Sequence, residues 1–565
     1  MSFLPPAKER LQFLDNLYPV WEPHTLWTRF DRSAQRFAQQ DYIVFEDCSF
    51  TYAQTRAEVD RLTRGLYALG VQPGDHAAIL LSNCPEFLFL IFALSRLGAV
   101  SVPLNARTTR ESLVYMVNHA QARWLISSYT PDAALLAGCP DLERVILINE
   151  NKLYRDPKVL YWPQLLGLGE PVSQQEVDRV SAGCQDPDNL ASILFTSGST
   201  SEPKGVMLTH DMLLRSAYGA ARSRAYQQGR RIYIPVPLYH AYAYVEGALA
   251  LLHVGGALIM SRLRFQPENA LRILRDFRAN DMLLLGSLMM KMLGVAGLRA
   301  EDYPDLLTAN YATATPDWIW DATRKAFGLT ELHTGMGMTE LSGCGVVTRP
   351  DTPPDYVRLY DGLPKDGGCA AVPGWNGAFL QFKICDPDTG ETLPAGQEGE
   401  IYYRGPVVTK GYYRAPEATR RAFTPDGWLK SGDIGDVTTD GYLTFRGRLT
   451  DAYKVNGENV SPIYVDSVIG KCPLVAAVET VGVSHPQCGE VGAVFLELTD
   501  RSDAAKQAVQ EYCRRNLSRY QVPQYYFYSD SDRWPRTGTN KISKKELRRW
   551  AERLTAESPE ENREV

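Results

Sequence analysis

Short apolar runs alternate with helix-period segments along the first third of the chain. From Leu11 to Val44 aromatic and charged residues mix, as in amphipathic helix and loop. Phe50-Thr51-Tyr52 reads as a strand, and Val59, Leu62, Leu66 and Leu69 then recur at helical spacing. Gly74-Asp75 turns into the buried strand Ala77–Leu81, Asn83–Gly98 reads as a helix, and Val100–Leu104 as the next strand. The runs at 123–127 and 145–148 continue the series, which predicts a parallel α/β construction. Between Gln174 and Asn189 a polar linker leads to Ala191–Phe195, a run of strand length, and Pro235–His240 reads as a further strand. A strand-rich region begins near Gly374 and ends at Asp433. Beyond it the pattern predicts a compact α+β module, with strands near 476–483 and 492–498, helices near 461–471 and 503–516, and a charged helical tail over 544–565 that frays at its end.

Composition narrows the classes. A chain of 565 residues, 44% apolar and 22% charged, has the balance of a soluble globular enzyme. Its net charge of −6 predicts neither nucleic acid nor an anionic membrane surface as a partner, so any phosphate site must gather positive charge locally. Ten cysteines lack the paired spacing of a zinc site or a disulfide framework, as expected for reduced thiols. The N-terminal residues carry no apolar signal-peptide core, and the apolar stretch 87–94 is far short of the roughly 20 residues of a membrane span. A cytoplasmic location is the expectation.

Four stretches carry candidate chemistry. Thr196-Ser197-Gly198-Ser199-Thr200-Ser201-Glu202-Pro203-Lys204-Gly205 follows an apolar strand and combines hydroxyls, a close-approach glycine and a cation, which together suit a polyphosphate. It lacks the Gly-Lys-Ser/Thr of a P-loop, and by composition alone it also describes a solvated turn. Gly335-Met336-Gly337-Met338-Thr339-Glu340 offers close approach, a hydroxyl, and a carboxylate that can hold a hard cation. Asp433, at the end of Gly427-Trp428-Leu429-Lys430-Ser431-Gly432, can accept both hydroxyls of a ribose or cap a turn. Pro535-Arg536-Thr537-Gly538-Thr539-Asn540-Lys541 is a loop with a lysine at its end.

In this order these stretches resemble the adenylate-forming superfamily, which contains acyl-CoA synthetases, luciferases and the adenylation domains of peptide synthetases. The resemblance covers nearly the whole chain. It implies a large domain over 1–449, built of α/β subdomains with a β-rich part, and a small mobile α+β domain over 450–565 that carries the catalytic lysine. The resemblance further implies that Thr196, Ser197, Gly198, Ser199, Thr200 and Lys204 hold ATP phosphates. Thr339 contacts the α-phosphate, and Glu340 holds Mg²⁺. Thr313 and Met336 lie at the adenine, Asp433 and Arg448 at the ribose. Lys541 is the catalytic lysine, and Lys454 and Gly457 face the site of thioester formation. Tyr239, His240, Ala241, Tyr242, Tyr244 and Gly335 line the acid pocket. Asn83-Cys84-Pro85-Glu86-Phe87 also resembles the superfamily's early region, as core rather than site.

The implied reaction is ATP-dependent activation of a small carboxylic acid to acyl-AMP, then thioester formation with coenzyme A. A carrier-protein phosphopantetheine is the alternative acceptor, with an acyl carrier protein as a possible partner. A homologue limited to one half-reaction, or to ligand binding, is the other alternative. Amino-acid-activating relatives carry an Asp near Tyr239 to grip the α-amine, and none stands there. Ser201, Met336, Tyr311–Thr315, Thr450 and Asn540 depart from the family pattern. They bear on ATP affinity, adenine fit and domain rotation, and none removes a charged catalytic group.

Overall fold

The computed structural model describes residues 4–46, 48–149, 156–196, 202–262, 265–312, 317–352, 363–364, 379–439, 441–455, 458–536, 542–557 and 562–564. Ser197, Gly198, Ser199, Thr200, Ser201, Thr313, Gly457, Asn540 and Lys541 lie outside them, as do Gly374, Ala314 and Thr315. By packing, the chain divides into two compact units: Met1–Phe382 with Tyr403–Leu429, and Lys383–Tyr402 with Lys430–Val565. The structure is of the mixed α/β class expected.

The first unit holds two large sheets. One has seven strands in the order Val159–Tyr161, Arg144–Leu147, Trp124–Ser127, His76–Leu80, Val100–Pro103, Leu190–Thr196 (β1) and Lys204–Thr209 (β2). All its neighbours are parallel except the last pair, a hairpin in which Thr196 faces Lys204. Helices Tyr52–Leu69 and Pro85–Arg96 fall where the sequence periodicity predicts them. Every residue of Pro85–Arg96 except Glu86 is buried, so the helix turns no polar face to solvent. The second sheet is centred on the parallel strands Asp281–Leu285, Thr308–Ala312 (β3) and Glu331–Met338 (β4). Beyond β4 the antiparallel Gly343–Val347 (β5) follows. At Gly337 the β5 backbone comes so close that a Cβ would lie 2.2 Å from the Gly343 carbonyl oxygen, so only glycine fits.

Three local expectations are corrected. The polar linker contains a helix, Gln174–Ala182: the Ser173 and Glu176 side chains form a capping box, while Val177 and Ser181 are buried. Pro235–His240 is not a strand. The strand ends at Tyr233, because Pro235 and Pro237 have no N–H to give a ladder, and the chain turns into a π-helix, Tyr242–Leu249. The C-terminal tail is helical over Lys544–Glu557 (α2), but Asn562–Glu564 then pairs in parallel with Tyr526–Tyr528 rather than fraying.

The second unit takes in most of a four-stranded sheet that ends with Leu429–Val437 (β6) and Leu443–Arg448 (β7). It continues with a six-stranded sheet containing Tyr453–Val455 (β8) and the long pair Val475–His485 and Gly489–Leu498. At the start of α2, Lys544 Nζ donates to Asp466 Oδ2 (2.8 Å) and to the Thr480 carbonyl (2.9 Å), and pairs also with Glu479. One ammonium thus serves two carboxylates. Burial pushes the Asp466 carboxyl up to about 7, Lys544 opposing and Glu479 reinforcing the shift. Burial also raises the nearby Asp451.

Since the unfolded Asp466 titrates near about 4, the folded chain holds an extra proton between there and about pH 7. The stability it contributes is full below that range and is lost as the pH rises through it. Asp466→Asn is expected to flatten this part of the pH dependence. Urea midpoints at pH 5 and pH 8 should fall further apart in wild type than in the variant, and parallel curves would contradict the assignment.

Candidate active site

In the first unit, β1 and β2 deliver the ends of the hydroxyl-rich loop. Thr196 and Lys204 close the hairpin as a cross-strand pair. The pairing follows from the apolar run Ala191–Leu194, buried on both faces, against Gly205–Leu208. The strand β4 delivers Gly335 and Met336, both buried, and runs into the 3-10 turn Thr339–Leu341. Met336 Sδ accepts a hydrogen bond from the Tyr403 hydroxyl at 3.5 Å. Thr339 is half-buried, whereas Glu340 is only 6% exposed.

A residue the sequence reading missed joins these two places. The Tyr412 hydroxyl donates to Glu340 Oε1 at 2.8 Å, and Lys204 Nζ stands 5.1 Å from the centre of the Tyr412 ring. Backbone bonds hold this segment in place. Met207 N–H donates to the Gly411 carbonyl (3.1 Å), Tyr413 N–H to Gly205 (2.8 Å), and Thr409 N–H to the Glu340 carbonyl (2.8 Å). Only Gly411 followed by two aromatics marks it locally, because its partners lie far away in sequence.

The segment expected to line an acid pocket splits in two. Asn83 Nδ2 donates to the Val236 carbonyl (3.0 Å) and its Oδ1 accepts from Leu238 N–H (2.9 Å), fixing the turn before Tyr239. Tyr239 and His240 stay partly exposed, with ring centres 4.5 Å apart, and burial pushes the Tyr239 phenol up to about 12. Ala241 is buried. The Tyr244 ring lies in the core, its hydroxyl 3.4 Å from Ser192 Oγ. The Tyr242 hydroxyl is 2.8 Å from the Asn310 side-chain amide on β3.

Behind Tyr242 lies a buried ion pair. Arg224, which ends helix His210–Ser223 (α1), donates from Nη2 to Glu246 Oε2 at 2.7 Å. Both residues are fully buried, and Glu246 Oε1 also accepts the N–H of Cys344 at the start of β5. Glu246 therefore anchors the chain four residues beyond Glu340.

In the second unit, Asp433 on β6 and Arg448 on β7 are direct cross-strand partners, and Arg448 Nε meets Asp433 Oδ1 at 2.7 Å. Asp433 is 1% exposed, while the arginine is exposed. Asp433 stands within strand β6 and not on the turn expected there; Gly432 before it takes φ +70° and donates its N–H to Glu400 Oε1 (2.9 Å). Lys454 is exposed on β8, its N–H bonded to Glu490 Oε2 at 2.9 Å. Of the residues singled out in the sequence, the structure brings together Thr196 with Lys204, Lys204 with Glu340 through Tyr412, and Asp433 with Arg448.

The residues fit a divalent cation of one kind. Among the described residues no group of three His, Cys, Asp or Glu could enclose a metal. Glu340 is instead a single buried carboxylate, linked to Lys204 only through Tyr412, which suits Mg²⁺ carried on substrate phosphates better than an all-protein cage. Among the described residues no helix is long and apolar enough to cross a membrane.

The AMP-binding enzyme family matches residues 30–413, and the AMP-binding enzyme C-terminal domain matches residues 464–541; the chain belongs to this family. YngI of Bacillus subtilis (strain 168), assigned as an acyl-CoA synthetase, is 29% identical over 548 residues, spanning 93% of this chain and 96% of its own. The crotonobetaine/carnitine–CoA ligase of Proteus mirabilis (strain HI4320) is 28% identical over 533 residues, spanning 92% and 98%. Among solved structures, the anthranilate CoA ligase AuaEII, in complex with anthranoyl-AMP, superposes with a TM-score of 0.81 at 21% identity over 96% of this chain and 99% of its own. The o-succinylbenzoate CoA synthetase of Bacillus subtilis, with its acyl-adenylate, gives 0.77 at 23% identity over 93% and 98%.

Proposed function

We propose that this chain activates a carboxylic acid with ATP to an acyl-adenylate and then transfers the acyl group to the thiol of coenzyme A. The observation that carries the reading is that one side chain, Tyr412, meets Lys204 with its ring and buried Glu340 with its hydroxyl, next to the cross-strand pair Thr196–Lys204 that brackets the hydroxyl-rich stretch. A cation and a hard carboxylate held apart in this way suit a metal-bound polyphosphate. Relatives named as CoA ligases, and a structural neighbour holding an acyl-adenylate, support the same reading.

The chemistry follows from charge. A carboxylate is a poor acylating agent because its leaving group would be oxide. Attack on the α-phosphate of ATP releases pyrophosphate and converts the leaving group to AMP. Thr196, Lys204 and the loop hydroxyls hold the departing phosphates, Thr339 the α-phosphate, and Asp433 with Arg448 the ribose. Glu340 would hold Mg²⁺, which supplies charge neutralisation between the phosphates. Lys541 bridges the two anionic reactants, and most of the catalysis is positioning and fixed charge. We place the functional boundary between a large domain, 1–449, and a small domain, 450–565, whose rotation would exchange Lys541 for the 454–457 loop. The absence of an Asp in the stretch around Tyr239, where amino-acid-activating relatives carry one, favours an acid without a free α-amine.

The test is product analysis with ATP, Mg²⁺, a panel of fatty and aryl acids, and either coenzyme A or a pantetheinylated carrier protein. AMP, pyrophosphate and an acyl-CoA are the expected products. Transfer to the carrier protein alone would replace the acceptor, and ADP with phosphate would contradict the reading.

A further inference from the structure

Resting on the proposed function, we infer that Tyr412 is the positioning residue that keeps Lys204 and Glu340 apart and aimed at a metal–nucleotide complex. Lys204 and Glu340 carry opposite charges in one small region. Left to themselves, an ammonium and a carboxylate would pair directly, and each would then be spent on the other rather than on a ligand. Here the ammonium lies over the Tyr412 ring and the carboxylate accepts from the Tyr412 hydroxyl. Tyr412 serves both: its ring face takes the ammonium, at 5.1 Å, and its hydroxyl donates to one carboxylate oxygen, at 2.8 Å. A phenol suits this position because it is neutral. It fixes both groups without cancelling either charge.

The side chain is itself held. Tyr412 is 9% exposed, its backbone forms an antiparallel bridge to Val206, and its N–H donates to Thr419 Oγ1 at 2.9 Å. Gly411 precedes it at φ +129°, where a Cβ would strike the Thr419 methyl at 2.5 Å, so the approach to β2 depends on glycine. Thr409 closes the arrangement from the other side, its N–H on the Glu340 carbonyl and its hydroxyl on the Met207 carbonyl at 2.7 Å. The strand bearing Lys204 and the turn bearing Glu340 are thus tied to one short segment.

The two halves of the tyrosine are separable. Tyr412→Phe keeps the ring under Lys204 and removes the donor to Glu340, whereas Tyr412→Leu removes both. The experiment measures equilibrium binding of ATP by the full chain, without carboxylate substrate, in Mn²⁺ and again in EDTA. Thermal unfolding of each variant is followed alongside. Tyr412→Phe is expected to weaken Mn²⁺-ATP binding by about 5–10-fold, the scale of one lost hydrogen bond, while metal-free ATP binding changes less than twofold. Tyr412→Leu is expected to weaken both. Equal affinities of wild type and Tyr412→Phe for Mn²⁺-ATP would overturn the inference and leave the proposed function standing. An equal loss with and without metal in Tyr412→Phe would also overturn it, as the mark of a residue that only packs. A wild-type chain that binds no Mn²⁺-ATP would overturn the functional reading and this inference together.

Discussion

Replacing Lys541 with alanine is expected to lower carboxylate-dependent ATP–pyrophosphate exchange by about 10²–10³-fold, the usual cost of removing one preorganised charge from a developing anion. The two reactants of the first step are both anionic, so in its proposed role Lys541 would stabilise the transition state more than either ground state. ATP binding should therefore change little. Thioester formation from preformed acyl-adenylate should survive, because the first step has then been bypassed. The two ends of the loop that carries this lysine are pinned together, since Arg536 bridges to Ile542 and Ser543 N–H donates to the Pro535 carbonyl at 2.8 Å. Exchange that persists near the wild-type rate in Lys541→Ala would contradict the role.

Replacing Glu246 with alanine is expected to destabilise the first unit by about 3–5 kcal/mol, the scale of breaking a buried ion pair from one side. The substitution strands the Arg224 guanidinium in the core and leaves the Cys344 N–H without its acceptor. Removing both charges is a different matter. The double variant Arg224→Met/Glu246→Met fills the same space without an uncompensated charge, and it should recover much of the loss. Urea unfolding of the two variants separates the cases, and a double variant as unstable as the single would contradict the assignment. Because Cys344 follows the Thr339–Leu341 turn, the single variant should also loosen Glu340.

What the sequence makes legible is what is local. The apolar runs at 77–81 and 100–104 and the helical spacing of Val59, Leu62, Leu66 and Leu69 are short-range patterns, and the structure forms those elements. The hairpin loop is legible for the same reason, since a buried strand, a cluster of hydroxyls and a lysine stand close together in the chain. Helix Gln174–Ala182 is hidden because it buries only Val177 and Ser181, too narrow a face to stand out from a polar stretch. At Pro235–His240 the apolar alternation reads as a strand, but two prolines outweigh it by withdrawing ladder donors. Tyr412 and the Arg224–Glu246 pair are invisible for another reason. Their meaning lies in partners 72 residues and 22 residues away, and in burial that composition does not reveal. Asp433 and Arg448 can each be singled out, but not that they face each other across one strand pair.

The proposed function stands on adenylation of a carboxylate. Its most direct test is ATP–pyrophosphate exchange with Mg²⁺ and no coenzyme A, over fatty, aryl and amino acids. Exchange is expected with a fatty or aryl acid and not with amino acids. Exchange supported only by amino acids, or none across the whole panel, would contradict it.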